Sequence, residues 1–266
     1  MPERGDAVES VEQLTAAWRG LVLDRDPGAD VRDLPGIAVR WADCRFAFWN
    51  CVTLTEVGAG AELVGRRLEQ VAEVMRTKRH PGFLWLFEDL LDDGARAALD
   101  EAAERAGLRR AFSGSGMAGD LLPVPDPEHP DLTFVRVTTD EQLLAYADLN
   151  SRAYGFAPED GRDGIAGSAL WKTGVHAYLG LREGVPVTCA ASVEVAGRLF
   201  VALVATDPDH RRKGYGEAAT RKALHEGGRA TGLTRATLHA TAAGAPVYLR
   251  IGFTPNSPVH FYALGD

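Results

Sequence analysis

The chain has 266 residues, of which 45% are hydrophobic and 25% charged, as in an ordinary globular protein. Its length suits two modest domains or one large domain. The formal net charge of −8 argues against nucleic acid as the main partner, because the sequence offers no extended basic face. Since no apolar run is long enough to span a bilayer, we also expect no membrane partner.

The cysteines and the first residues indicate a compartment. The three cysteines, Cys44, Cys51 and Cys189, have neither metal-ligand spacing nor the spacing of a disulfide framework. The polar start, Met1-Pro-Glu-Arg-Gly-Asp6, lacks the apolar core of a secretory signal. We therefore expect no metal, reduced thiols and a cytoplasmic location.

Strand and helix patterns alternate through the first half of the chain. Apolar periodicity of 3.6 predicts helices, and β-branched or aromatic runs predict strands. The order is strand, helix, strand, helix, strand after a first helix, which predicts an α/β domain over residues 1–120. The helices are predicted at 9–24, 61–78 and 92–106, and the strands within 37–55, 82–87 and 108–117.

A proline-rich segment separates the two halves. Residues 121–131 contain four prolines and are predicted to be a linker, because proline disrupts both helices and sheets. Residues 132–266 then follow the order β-α-(α)-β-β-β-α-β-α-β. The prediction is an α/β protein with a mixed sheet, in which the N-terminal domain is the smaller one.

The most informative stretch in the second half is a strand, a basic glycine-containing turn and a helix. An apolar run ends at Thr206, and the turn Arg211-Arg-Lys-Gly-Tyr-Gly216 precedes the next helix. Gly214 and Gly216 lack the Cβ that would keep a phosphate from the backbone. The helix N-terminus and the charges of Arg211, Arg212 and Lys213 favour an anion. The stretch predicts a pyrophosphate cradle, with a solvated basic loop as the alternative; dinucleotide and nucleoside-triphosphate fingerprints are missing.

A second motif, Tyr248-x-x-x-Gly-Phe253, follows the first at an element boundary. With R-x-x-G-x-G at Arg211, Gly214 and Gly216, it resembles the GNAT family of acyl-CoA-dependent N-acetyltransferases over residues 132–266. The resemblance implies the GNAT fold and acetyl-CoA as co-substrate. The first half has a vaguer likeness and is interpreted as a degenerate GNAT-like domain without a cofactor site, an unrelated α/β domain being the alternative.

The resemblance assigns the cofactor residues one by one. It implies that the strand residues Val204, Ala205 and Thr206 face the pantetheine arm. It implies that the turn residues surround the pyrophosphate: Arg211, Arg212, Lys213, Gly214, Tyr215 and Gly216. Thr241 stands where many members carry an asparagine, so one amide contact to the cofactor is lost while a hydroxyl contact is kept.

For catalysis, the resemblance implies that Tyr248 is the general acid, because a phenol is a proton donor at neutral pH. A structural tyrosine is the alternative. The oxyanion donor is expected to be a backbone N–H near Val204 or Ala205, at a bulge. No general base is assigned among Glu194, His176 and His239.

The acceptor is expected to be a primary amine of a small molecule or peptide. Candidate pocket walls are Tyr146, Tyr154, Phe156 and Trp171, and candidate acidic partners are Glu159, Asp160 and Asp163. Two other functions stay open: a non-catalytic acetyl-CoA-binding regulatory module, and a tandem structural domain that pairs with another protein. A homodimer is one assembly considered.

Overall fold

The computed structural model describes residues 4–265, which form nine helices and eleven strands within that range. The helices are α1 (Arg4–Arg25), α2 (Ala61–Arg76), α3 (Asp93–Ala97), α4 (Leu99–Arg105), α5 (Asp140–Tyr154), α6 (Pro158–Ile165), α7 (Ala169–Thr173), α8 (Tyr215–Thr231) and α9 (Ala245–Ile251). Among the described residues, no helix is both long and apolar enough to cross a membrane.

The strands are β1 (Asp30–Leu34), β2 (Ile37–Trp41), β3 (Asn50–Leu54), β4 (Phe83–Phe87), β5 (Leu108–Gly119), β6 (Thr133–Arg136), β7 (Val175–Arg182), β8 (Val185–Val195), β9 (Arg198–Thr206), β10 (Ala236–Thr241) and β11 (Thr254–Leu264). Parallel and antiparallel pairs both occur, so the predicted mixed α/β fold is confirmed. The sequence prediction missed β1, because its polar residues lack an alternating apolar pattern.

The chain forms two compact units. Unit 1 comprises residues 1–117, 239–245 and 255–266, and unit 2 comprises 118–238 and 246–254. The last strand was predicted to lie in the C-terminal domain, but β11 pairs with β4, for example Phe261 with Trp85. The N-terminal unit gains this strand and is therefore not the smaller of the two.

Unit 1 is a sheet in the order β1-β2-β3-β4-β11-β5. An antiparallel hairpin, β2 with β3, is followed by helix α2 and by β4, which is parallel to β3. Leu68 and Val71 of α2 pack on Val52 and Leu84 of the strands in one apolar cluster. The apolar face of an amphipathic helix thus covers the sheet, as the periodicity predicts.

Unit 2 is a sheet in the order β10-β9-β8-β7-β6, to which β10 contributes residues 236–238. Neighbouring residues of β8 contact different helices. Cys189 accepts a hydrogen bond from Asn150 of α5, whereas Ala190 clusters with Ala219 of α8. Because successive side chains of a strand point to opposite faces, α5 and α8 cover opposite faces of this sheet.

The proline-rich segment is packed rather than a free linker. Leu122 and Val124 are buried, and the backbone N–H of Leu122 donates to Thr234 O at 3.0 Å. Lys222 of α8 donates to Asp126 at 2.8 Å, and His225 of α8 contacts Val124 O at 2.9 Å. Prolines prevent a helix or central strand here, but the residues between them anchor the segment on α8.

Candidate active site

The central feature of unit 2 is a break in the β8–β9 ladder. Cys189 pairs with Ala205 and Ala191 with Ala202, so the register shifts between them. Ala190 therefore opposes both Leu203 and Val204, which is the arrangement of a β-bulge. Leu203 has a φ of 47°, in the left-handed region that a bulky residue rarely adopts. Such strain, held by its surroundings, is typical of functional sites.

Side-chain hydroxyls hold the carbonyl groups of the bulge. Tyr146 of α5 donates to Leu203 O at 2.9 Å, and Tyr154 of α5 donates to Val204 O at 2.9 Å. Thr188 of β8 donates to Ala205 O at 2.9 Å. These hydrogen bonds satisfy three successive carbonyl groups of β9. Two of the carbonyls belong to the bulge, so the hydroxyls stabilise the strand where the ladder is broken. Burial raises the pKa of Tyr146, so it remains a donor.

The turn after β9 presents backbone N–H groups at the start of α8. Arg212 has a φ of 62° and Gly214 a φ of 80°, so the chain turns twice through the left-handed region. The first backbone bond of α8 runs from Ala218 N to Gly214 O at 3.0 Å. Helix geometry leaves the preceding N–H groups without an acceptor inside the helix, an arrangement that favours a bound anion.

The two motif glycines keep this turn open. A Cβ at Gly216 would lie 3.1 Å from Thr206 Oγ1, and the positive φ of Gly214 disfavours any side chain. A cradle that a Cβ would fill fits a ligand phosphate lying against the backbone.

The basic residues of the turn are exposed. Arg211 donates to Ala153 O at 2.8 Å and approaches Thr206 O at 3.4 Å, which places its charge beside the end of β9. Arg212 and Lys213 are exposed and add positive charge. The side chain of Tyr215 is buried, so only its backbone faces the turn.

Tyr248 lies in α9 and is nearly buried. Its ring contacts Phe253 with centroids 6.1 Å apart. Its hydroxyl makes no hydrogen bond to any residue between 4 and 265. Burial first, and then the neighbouring Tyr154, raise the pKa of Tyr248. The group is therefore a neutral donor that lacks a protein partner and lies close to a tyrosine of the bulge.

Thr241 ends β10 and belongs to unit 1. It is exposed, and its hydroxyl accepts from Gly244 N at 3.2 Å. The hydroxyl of Thr241 thus stabilises the turn between β10 and α9. Its contact with a cofactor stays a prediction.

The residues considered as bases have different surroundings. Glu194 is exposed near the β8–β9 hairpin turn. Burial first, and then Arg136, lower the pKa of His176. Burial lowers the pKa of His239 to about 3, and its ring packs 5.6 Å from that of Trp85 in unit 1. His239 is half-buried and packs on aromatic rings of unit 1, and no base is assigned.

The residues considered for the acceptor pocket are largely structural. Tyr146 and Trp171 are buried with ring centroids 5.1 Å apart. Asp160 accepts from Ala157 N at 3.2 Å at the start of α6. The sequence did not indicate that Tyr146 and Tyr154 bind the bulge carbonyls. Their spacing of eight residues on one helix is the signal that was available.

One group of metal-ligand residue types lies on α8 and the proline-rich segment: Asp126, His225 and Glu226. Lys222 already donates to both carboxylates, at 2.8 Å and 2.9 Å. Lys222 and Arg229 lower the pKa of Glu226 to about 2, against the effect of burial. Asp126 and Glu226 therefore form an ion-pair network with Lys222. The ammonium group of Lys222 occupies the position that a metal cation would take.

Comparison with known proteins agrees with this geometry. The family model for the acetyltransferase (GNAT) domain matches residues 173–255, which include the bulge, the cradle and Tyr248. No curated protein matches the chain.

Solved structures share the fold over nearly the whole chain. A GCN5-related N-acetyltransferase from Kribbella flavida has a TM-score of 0.69 at 20% identity, covering 95% of this chain and 94% of that one. One from Sphaerobacter thermophilus has a TM-score of 0.60 at 18% identity, covering 98% and 93%. A tandem GNAT protein from the clavulanic acid biosynthesis pathway has a TM-score of 0.53 at 15% identity, covering 80% and 74%.

At these identities the structural likeness concerns the fold alone. The resemblance stated from the two motifs is confirmed by the family match, which lies in the C-terminal half. Over residues 173–255, this chain matches the family model of the acetyltransferase (GNAT) domain.

Proposed function

We propose that this protein transfers an acetyl group from acetyl-CoA to a primary amine of a small molecule or peptide. The observation that carries the proposal is the bulge in β9, followed directly by the cradle at α8. One continuous segment offers a splayed strand edge and an anion site, as a thioester with a pyrophosphate tail requires.

In this proposal the donor lies along the end of β9. Val204, Ala205 and Thr206 face the pantetheine arm, whose carbonyl groups accept from backbone N–H groups at the bulge. The pyrophosphate lies on the N–H groups of the turn from Arg211 to Gly216, with the arginines and Lys213 as counter-charges. Truncating one such charged side chain is expected to cost about 1–3 kcal/mol of binding.

The reaction is a direct acyl transfer. The amine nitrogen attacks the thioester carbonyl carbon, and a backbone N–H of Val204 or Ala205 stabilises the oxyanion. Collapse forms the amide and breaks the carbon–sulfur bond. The amine loses a proton to solvent or to an unassigned base, and the departing thiolate gains one.

Tyr248 is proposed to supply that second proton. Its hydroxyl lacks a partner in the described residues, and burial keeps it protonated at and above neutral pH. A raised pKa weakens a phenol as an acid in water, but a thiolate formed in the same buried site is also destabilised. Proton transfer between them moves the negative charge from the CoA sulfur to the Tyr248 oxygen, which is then reprotonated by the proton that the amine releases.

A second candidate function is a non-catalytic acetyl-CoA-binding regulatory module. It is favoured by the surroundings of two candidate bases, since Glu194 is exposed near a hairpin turn and His239 packs on the rings of Trp85 and Phe87. A protein that only binds acetyl-CoA would need the phosphate-binding turn, but it would not need Glu194 or His239 as a base.

Thiol release from acetyl-CoA, measured with polyamines, aminoglycosides, amino acids and peptide N-termini, separates the two. The enzyme proposal expects amine-dependent release with at least one class and a large loss in Tyr248→Phe. Tight acetyl-CoA binding without transfer to any amine would support the module.

A further inference from the structure

We propose that His129, in the proline-rich segment, is a positioning residue for the phosphate-binding turn. The inference rests on the proposed function, since it concerns how the same turn binds the phosphates of CoA. It assigns a ligand-binding role to a segment that the sequence presents as a linker.

The segment follows α8 from its C-terminal part to its N-terminus. Leu122 lies over Gly228, where a Cβ would be 3.6 Å from the leucine side chain. Val124 and Asp126 are held by His225 and Lys222, nearer the middle of the helix. Asp131 accepts from the Tyr215 hydroxyl at 3.2 Å, at the first residue of α8. The segment therefore ends at the cradle.

His129 bonds directly to the backbone of the turn. Its Nε2 lies 3.1 Å from Lys213 O, and its Nδ1 accepts from Asp131 N at 3.3 Å. Because a carbonyl only accepts, Nε2 is the donor in the bond to Lys213 O. The ring also packs edge-on against Tyr215, with centroids 5.0 Å apart. Three contacts, to Lys213 O, Asp131 N and the Tyr215 ring, thus hold the imidazole against the turn.

The bond to Lys213 O orients the peptide that enters Gly214. In a planar trans peptide, the carbonyl and the following N–H point in opposite directions. Holding the Lys213 carbonyl on His129 therefore directs the Gly214 N–H to the other side of the chain. The φ of 80° at Gly214 needs such support, since glycine is otherwise the most mobile residue of a turn.

His225 provides a matched control. Its Nδ1 binds Val124 O at 2.9 Å, so it also joins an imidazole to a backbone carbonyl between α8 and the same segment. It lies away from the turn, in the middle of α8. Any loss that comes only from loosening the segment should appear in both His129→Ala and His225→Ala.

The test is calorimetric titration of the full chain with CoA, for wild type, His129→Ala, His129→Gln and His225→Ala. We expect His129→Ala to raise Kd about tenfold, the effect of one lost hydrogen bond to an ordered turn. We expect His225→Ala to change Kd less than about twofold. His129→Gln should restore much of the affinity, because its amide also donates.

Equal Kd values for His129→Ala and His225→Ala would overturn the inference and leave the proposed function standing. So would a His129→Gln variant as weak as His129→Ala. Wild-type protein that binds no CoA would overturn the proposed function itself and this inference with it.

Discussion

The two units contain the same local succession of elements but differ in the regularity of the hairpin and in the charge of the turn. In each, an antiparallel hairpin leads through a turn into a helix and then into a strand parallel to the hairpin's second strand. In unit 1 the register from Ile37 to Trp41 is uninterrupted. In unit 2 it shifts at Cys189 to Ala191, and Leu203 adopts a positive φ.

The turns differ as much as the hairpins. In unit 1 the turn from Thr55 to Gly60 carries Glu56, whose carboxylate binds Arg67 of α2 at 3.3 Å. In unit 2 the turn carries Arg211, Arg212 and Lys213. At a helix N-terminus, a carboxylate such as that of Glu56 repels a phosphate. Guanidinium groups such as those of Arg211 and Arg212 attract it. We therefore expect that shared topology does not by itself create a phosphate site, and that the bulge, the left-handed residues and the charge of unit 2 are needed as well.

The largest expected effect is on chemistry at unit 2. Tyr248→Phe removes the proposed donor without changing the ring that packs on Phe253. We expect kcat to fall about 100-fold with the Kd for acetyl-CoA unchanged, as for the loss of a general acid. Stopped-flow or steady-state thiol release measures it. An unchanged kcat in a working assay would remove the acid role.

The next effect concerns the motif glycine. Gly216→Val places a branched side chain against Thr206, where a phosphate should approach the backbone. We expect Kd for acetyl-CoA to rise about 30-fold, the loss of one charge-assisted contact or more. The matched variant in unit 1 is Gly60→Val, at the residue that precedes α2. Calorimetry should show that Gly60→Val binds acetyl-CoA with wild-type affinity. A similar rise in Kd for both variants would contradict the account.

A smaller effect should follow from removing turn charge. Arg211→Ala deletes a guanidinium and its bond to Ala153 O. We expect Kd to rise about fivefold, with a weaker dependence on salt, because exposed charge is screened. Arg67→Ala, which breaks the ion pair in the turn of unit 1, should leave Kd unchanged. Titrations at two salt concentrations decide this, and a salt dependence equal to that of wild type would contradict it.

The smallest effect concerns backbone strain. Unit 1 uses Gly58 where its turn needs a φ of 72°, whereas unit 2 has Arg212 at 62°. Arg212→Gly relieves left-handed strain but gives the unfolded chain more freedom. We expect the free energy of unfolding to rise by about 0.5 kcal/mol while CoA binding weakens. Urea denaturation with and without CoA measures both quantities, and a clear loss of stability would show that Arg212 is not strained.

Local features of the fold could be predicted from the sequence, and distant pairings could not. Local sequence was enough for the two motifs, for the strand before Arg211 and for the helix after Gly216, because each involves residues that are close together in the chain. The pairing of β11 with β4 joins residues far apart in the chain, and apolar periodicity does not specify a partner. The expected donors Val204 and Ala205 lie at an observed bulge, but the tyrosines that hold it are on α5.

The proline-rich segment shows the same limit. Its prolines predict where no helix or central strand can form. They do not predict that the remaining side chains bind α8, because His129 and Asp131 find their partners only after folding. The degenerate GNAT-like origin of the first half stays a prediction.

The central claim is that unit 2 binds acetyl-CoA and unit 1 does not. Calorimetric titration of the wild-type chain with acetyl-CoA tests it most directly through the stoichiometry. The account predicts one equivalent bound per chain, with Kd raised about 30-fold in Gly216→Val and unchanged in Gly60→Val. Two equivalents per chain, or wild-type affinity in Gly216→Val together with weakened binding in Gly60→Val, would contradict it.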